Sequence, residues 1–117
     1  MSNPFNRGDD LIFQLESGFG LLRVLAVEGE GSGTVWHLLA YDDFFPDVEA
    51  AEAALAAAPL AVRKPHMALT NRAFERTPVA RLGNRPVTDD ELVAFREWLN
   101  SDRPVSDRSA LLMLGVR

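Results

Sequence analysis

Runs of mostly apolar residues in the first third of the chain predict β-strands, and in residues 11–16 apolar and polar positions alternate as in a strand that buries one face. Three such runs are separated by short glycine-containing turns: residues 11–16, 21–27 and 34–41. The middle run is apolar on both faces except for Arg23, so we expect it at the centre of a sheet. Short connections between successive strands predict a twisted antiparallel meander.

Two later segments carry helix signals. Asp47 is a suitable N-cap for the alanine-rich stretch that follows it, and a helix is predicted over residues 48–58. Thr88 and Glu91 have the spacing of a capping box in front of an amphipathic stretch. A second main helix is therefore predicted over residues 89–100.

The remaining segments predict elements around this framework. Residues 60–70 are extended but contain Pro65, which favours an edge strand. Residues 79–82 predict a short strand, and the apolar residues 110–116 predict a last strand that returns to the core. Together the elements predict one α+β domain over residues 1–117, with a strongly twisted antiparallel sheet or a partly open small barrel.

Composition narrows the class of protein. The 117 residues are 47% hydrophobic and 25% charged, which is typical of a globular domain rather than a disordered chain. No cysteine is present, so disulfides, thiol nucleophiles and thiolate metal sites are excluded. There is no apolar run of the roughly 20 residues that a membrane span needs, and no signal-peptide core. We therefore expect a cytoplasmic protein without membrane contact.

Charge is distributed unevenly along the chain, whose formal net charge is −5. Residues 1–58 contain two arginines against ten acids, whereas residues 59–117 contain ten cations against seven acids. An acidic face would favour a basic protein partner by electrostatic steering, and a basic strip would favour an anion or a nucleic acid. A fold that places the two segments side by side would form neither a separate acidic face nor a separate basic strip. The acidic pI of about 4.9 and the lack of interleaved aromatic residues argue against nucleic acid.

One acidic and aromatic segment is the first candidate for a partner-binding surface. Its residues follow the third predicted strand and begin the first helix: Asp42, Asp43, Phe44, Phe45, Asp47 and Glu49. Acids beside exposed aromatic rings suit a basic partner, but the two phenylalanines have an alternative role, clamping the helix against the sheet. Homodimerisation through Phe44 and Phe45, or through the C-terminal apolar segment, is a further alternative.

A second candidate is a small-molecule or anion-binding site in the basic segment, residues 63–85, formed by four of its residues: Arg63, Lys64, His66 and Arg72. Signals for catalysis are absent from the sequence, because no serine has the nucleophile-elbow context and the glycines at 29, 31 and 33 precede a strand rather than a helix. His37 and His66 are 29 residues apart with no acid at ligand spacing, which predicts structural roles and no metal site. An enzyme would require one of these histidines to contact a carboxylate in a cleft. The sequence thus predicts no catalytic residue and no cofactor.

Several short motifs resemble the immunity-protein-26 family. The resemblance covers about the first 45 residues and extends more loosely over the next 40. Its motifs are Gly8-Asp9, Ser17-Gly18-Phe19-Gly20, Arg23-Val24-Leu25, Ala40-Tyr41-Asp42, Met67-Ala68-Leu69-Thr70-Asn71 and Val79-Ala80-Arg81-Leu82-Gly83. The resemblance implies a cytoplasmic, non-catalytic protein that binds and neutralises a cognate toxin of a bacterial competition system. It assigns no individual site residue.

Overall fold

The computed structural model describes residues 4–57 and 59–116 and contains five strands and four α-helices in those residues. The strands are β1 (Asp9–Leu15), β2 (Gly18–Glu28), β3 (Val35–Tyr41), β4 (Val62–Thr70) and β5 (Val79–Asn84). The helices are α1 (Val48–Ala57), α2 (Asn71–Glu75), α3 (Val93–Leu99) and α4 (Ala110–Leu114), and a single 3₁₀ turn spans Gly31–Gly33. None of these helices is long and apolar enough to cross a membrane.

The strands form one antiparallel sheet in the order β4-β3-β2-β1-β5. Successive strands pair from β1 to β4, which confirms the predicted meander, and β5 returns to pair with β1. The nearly all-apolar β2 lies at the centre, and β4, which contains Pro65, lies at an edge as expected. Because β4 and β5 end the strand order, the sheet is open, and the predicted α+β fold with a twisted antiparallel sheet is confirmed.

Helices cover both faces of the sheet, so the alternation along each strand separates two hydrophobic cores. On one face Trp36 stacks on Phe74 with ring centroids 4.3 Å apart, beneath α2 and α4. The other face carries Leu39 and is covered by α1 and α3. We call this second face the α1/α3 face. Two polar side chains that are fully buried, Arg23 and His37, lie on it among the apolar ones.

The first predicted helix is confirmed as α1 over Val48–Ala57. Asp47 is its N-cap, since Oδ1 accepts a hydrogen bond of 2.7 Å from the backbone N–H of Ala50. Ala58, the last residue of the predicted helix, lies outside the described residues.

The second predicted helix starts too early. The capping box itself forms, because the N–H of Glu91 donates to Thr88 Oγ1 at 3.2 Å and the N–H of Thr88 donates to Glu91 Oε1 at 3.0 Å. Residues 89–92, however, form a tighter turn in which each hydrogen bond spans three residues. Within residues 89–100, the regular α-helix is α3, which begins at Val93. The predicted start at residue 89 was therefore wrong.

The predicted last strand over 110–116 is wrong, because this segment forms helix α4. Ser109 Oγ accepts a hydrogen bond of 3.3 Å from the N–H of Leu112, and Gly115 ends the helix with φ of 68°. A short apolar run fits either periodicity, so the capping serine and the terminal glycine decide its conformation.

Candidate functional site

The segment between β3 and α1 divides its two phenylalanines between core and solvent. Phe45 pairs through its backbone with Phe19, with N–H···O distances of 2.8 Å in both directions, and its side chain packs against the core of the α1/α3 face. Phe44 is 43% exposed. The clamping role therefore belongs to Phe45, and Phe44 is left accessible to a partner.

The carboxylates of this segment are all exposed: Asp42, Asp43, Asp47 and Glu49. We call these four residues together with Phe44 the acidic-aromatic surface. Asp42 Oδ1 lies 3.7 Å from Arg63 Nη1, and the guanidinium carbon of Arg63 lies 5.7 Å from the centroid of the Phe44 ring. The first cation of the basic segment therefore lies within the acidic-aromatic surface, and the two charged segments are not separated into two faces here.

Asp47 has a structural role in addition to its charge. Replacement of Asp47 by alanine removes the N-cap of α1, and we expect the free energy of unfolding to fall by about 1 kcal/mol. Asp47→Ser keeps a capping oxygen without the charge and is expected to lose less. Urea unfolding of both variants tests this, and equal stability of Asp47→Ala and the wild type would contradict it.

The residues of the candidate anion site do not converge on one point: Arg63, Lys64, His66 and Arg72. They are distributed along β4 and the first turn of α2. Arg63 lies in the acidic-aromatic surface, His66 stacks on His37 with ring centroids 5.2 Å apart, and Arg72 is bound by Asp107. Three of the four side chains are thus engaged with neighbours within the fold.

Three polar side chains form a hydrogen-bonded chain across the α1/α3 face. Nε2 of His37 lies 2.5 Å from Oε1 of Glu28, and Nδ1 of His37 lies 2.9 Å from Nε2 of His66. Phe95 and Trp98 of α3 cover the His37 ring, each with a centroid distance of 4.6 Å. With an ionised Glu28 as acceptor, His37 donates through Nε2 and accepts from the Nε2–H of His66. This arrangement uses both ring nitrogens of a neutral His37 and the Nε2–H of a neutral His66.

Burial opposes protonation of both rings. It lowers the pKa of His37 from 6.5, although the hydrogen bond and charge of Glu28 partly oppose this shift. Burial and the neighbouring His37 lower the pKa of His66 to about 4. His66 is therefore uncharged at neutral pH and supplies no positive charge for an anion. His37 does contact a carboxylate, but side chains of α3 cover it and it does not line the cavities described below.

A second buried polar cluster is centred on Arg23, which is 1% exposed. Its five N–H groups make six contacts of 2.6–3.2 Å, three of them with the carboxylates of Asp10 and Glu91. The other three acceptors are the backbone carbonyls of Gly8, Arg85 and Pro86. Asp10 also accepts from Nε and Nη2 of Arg85 at 2.7 and 2.9 Å. Arg23 thereby fixes the connection between β5 and α3 against the sheet.

The charges of this cluster are maintained at neutral pH. Burial raises the pKa of Glu91, but hydrogen bonds from Arg23 and Thr88 outweigh it, and the net pKa is lowered. The hydrogen bond with Asp10 raises the pKa of Arg85. Burial raises the pKa of Tyr41, whose hydroxyl accepts from Arg85 at 3.3 Å. These shifts favour the charged forms of Glu91 and Arg85 and the neutral form of Tyr41 at neutral pH.

Two open cavities adjoin each other on the α1/α3 face, and we call them together the α1/α3 groove. The first, of about 490 Å³, lies between α1, the ends of β3 and β4, and residues 85–91. The second, of about 460 Å³, lies between β4 and α3. Four residues line both cavities: Leu39, Val62, Asp90 and Glu91. The shared residues join the two cavities into one groove.

Sequence reasoning missed the contact between Glu28 and His37 and the one between His37 and His66. The hairpin predicted from β2 and β3 brings the end of β2 near the start of β3, and this hairpin was the one sequence signal for the contact between Glu28 and His37. In residues 4–57 and 59–116, no three His, Asp or Glu side chains are grouped to hold a metal ion. Comparisons with protein-family models, curated proteins and solved structures found no match to this chain.

Proposed function

We propose that this chain is a cytoplasmic, non-catalytic binding module for a basic protein, contacted through the acidic-aromatic surface. The observation that carries the proposal is Phe44, an aromatic ring 43% exposed and flanked in the chain by exposed carboxylates. Exposed aromatic side chains serve as anchors in protein interfaces, and an acidic rim selects a partner with a basic rim.

The charge balance of the surface supports a basic partner. Of its four carboxylates, Asp42 alone has a cation at salt-bridge distance among the described residues, and that cation is Arg63. The charges of Asp43, Asp47 and Glu49 are left uncompensated. Their field would accelerate encounter with a cationic partner and would be screened by salt.

The resemblance to the immunity-protein-26 family supports a more specific form of the proposal. In this form the partner is a toxin of a bacterial competition system, and the chain neutralises it by occupying its surface. A toxin with a basic contact surface fits the acidic-aromatic surface best. No catalytic group is needed for this role, because the inhibition is steric.

The proposal predicts that Asp42→Lys with Asp43→Lys weakens partner association by about tenfold or more, because it reverses two charges beside Phe44. A matched control is Glu30→Lys with Asp102→Lys, which makes the same change in charge at exposed positions outside the surface. Tagged wild type and both variants are used to capture proteins from the native lysate at low and moderate salt. Association rates are then measured with the purified captured protein.

Loss of one basic protein from the Asp42/Asp43 variant and its retention by the control would support the proposal. Equal capture of the protein by both variants would show that the acidic-aromatic surface is not its contact surface. Recovery of nucleic acid or a small anion would contradict a protein partner. Recovery of this chain alone would favour homodimerisation instead.

A further inference from the structure

The α1/α3 groove has an apolar floor, and part of its wall is formed by charged side chains. Leu39 of β3 lies at the floor of both cavities. Val62 of β4 and Val93 of α3, which are 46% and 52% exposed, line the second cavity. Each cavity is in the size range of protein pockets that bury a ligand, and an apolar groove of this kind gains free energy when a partner covers it.

Two carboxylates at the second cavity have no counter-charge. Asp90 precedes α3, Glu97 lies within it, and both line the cavity. Within the described part of the chain, neither carboxylate makes an ion pair, whereas Glu91 between them is bound to Arg23. Arg96, which precedes Glu97 in the chain, is paired with Asp89 at 3.0 Å. Arg85, which lines the first cavity together with Asp90, is paired with Asp10 at 2.7 Å. The groove therefore combines an apolar floor with two free negative charges on one wall.

This combination fits a lysine or arginine side chain of a protein. The aliphatic stem of such a side chain packs on apolar surface while its charged head reaches an acidic edge. A neighbouring apolar side chain of the same segment would fill the first cavity. An acidic or neutral segment would leave Asp90 and Glu97 without a counter-charge and gains less from the groove.

The groove and the acidic-aromatic surface share neighbouring residues of β4. Val62 of the groove is followed in the chain by Arg63, whose guanidinium lies over Phe44. We infer that the α1/α3 groove binds an extended segment of the protein partner that carries a lysine or arginine beside apolar residues. This inference rests on the proposed function, because it names a part of the same partner and the place in this fold that binds it.

The inference is tested with the ¹⁵N-labelled full chain and three synthetic peptides followed by chemical-shift changes. The blocked peptide LKVLKV is both basic and apolar, LEVLEV reverses its charge, and SKGSKG keeps its charge without its apolar side chains. We expect LKVLKV to shift the amides around Leu39, Val62 and residues 93–97 and to bind at least about tenfold more tightly than the other two. Equal binding of all three peptides, or shifts elsewhere, would overturn the inference.

One double variant and one pair of single variants make the test specific. Asp90→Asn with Glu97→Gln is expected to weaken LKVLKV binding about fivefold, because exposed ion pairs contribute modestly. Ala56→Trp places an indole at the first cavity and should weaken binding, whereas Ala53→Trp, an exposed position of α1 outside the cavities, should not. Binding of LKVLKV that is unchanged in both Asp90/Glu97 and Ala56 variants would contradict the groove as the site.

The outcomes separate the inference from the proposed function. If the captured protein is lost from the Asp42/Asp43 variant but is bound equally by the Asp90/Glu97 variant, the binding module stands and the groove is excluded. If LKVLKV occupies the groove but no protein is captured, the proposed function is contradicted whereas peptide binding in the groove is not. Octylamine is included as a probe, and binding as tight as that of LKVLKV would assign the groove to small cationic amphiphiles rather than to a peptide.

Discussion

Replacement of Arg23 by alanine is expected to lower the free energy of unfolding by about 3–5 kcal/mol, the usual cost of removing one partner from a buried ion pair. The change removes the side-chain donor of the Arg85 and Pro86 carbonyls, whereas the Gly8 carbonyl still accepts from the N–H of Arg85 at 3.0 Å. It also removes the cation paired with Glu91 and one of the two cations that contact Asp10. Asp10 is 3% exposed, so water cannot readily replace the lost contact. Urea unfolding followed by circular dichroism measures the loss.

A conservative variant and a surface control define the cause. Arg23→Lys keeps the charge but supplies three donors in place of a planar set of five, so we expect it to recover only part of the lost stability. Arg96→Ala removes an exposed pair with Asp89 and is expected to cost less than about 0.5 kcal/mol. If the free energy of unfolding of Arg23→Ala lies within about 1 kcal/mol of the wild-type value, the role of Arg23 in fixing the connection between β5 and α3 is contradicted.

Acidification is expected to destabilise the protein by about 1–2 kcal/mol between pH 6.5 and 5, because the folded state resists protonation of its two histidines. The pKa of His66 is lowered from 6.5 to about 4, and that of His37 is lowered as well. As the pH falls below 6.5 the unfolded chain binds protons that the folded chain does not, so stability is lost until His66 titrates near pH 4. The expected loss of stability is kept to about 1–2 kcal/mol because His66 is only partly buried and solvent screens its charge.

The variant His66→Gln assigns this pH dependence. Its amide N–H₂ can still donate to Nδ1 of His37, but it does not titrate, so the loss of stability between pH 6.5 and 5 should shrink by about half or more. The pKa of Glu91 is lowered from 4.5, so its contribution is lost at lower pH than that of the histidines. Unfolding curves at pH 7.5, 6.0 and 5.0 test the prediction, and an unchanged slope in the variant would exclude His66 as its source.

The periodic and capping signals predicted most of the local structure. Alternation over residues 11–16 and apolar runs over 21–27 and 34–41 identified three strands of the meander, because a strand that buries one or both faces carries its pattern in consecutive residues. Asp47 identified the start of α1 in the same way. The errors lie where a short segment fits two conformations, as in residues 110–116, or where a cap precedes a turn instead of regular helix, as in residues 89–92.

The sequence by itself determined the strand pattern, the central position of β2 and the presence of one charge, Arg23, within an apolar strand. The partners of that charge were decided by the tertiary structure, because Glu91 lies 68 residues away in the chain. The same holds for His37 and His66, which are 29 residues apart and meet across β3 and β4. Local patterns reflect which face a residue occupies, whereas a buried polar contact or a groove depends on which distant segments the fold brings together. Local sequence therefore specified most elements and the acidic-aromatic surface, whereas packing specified the buried polar clusters and the α1/α3 groove.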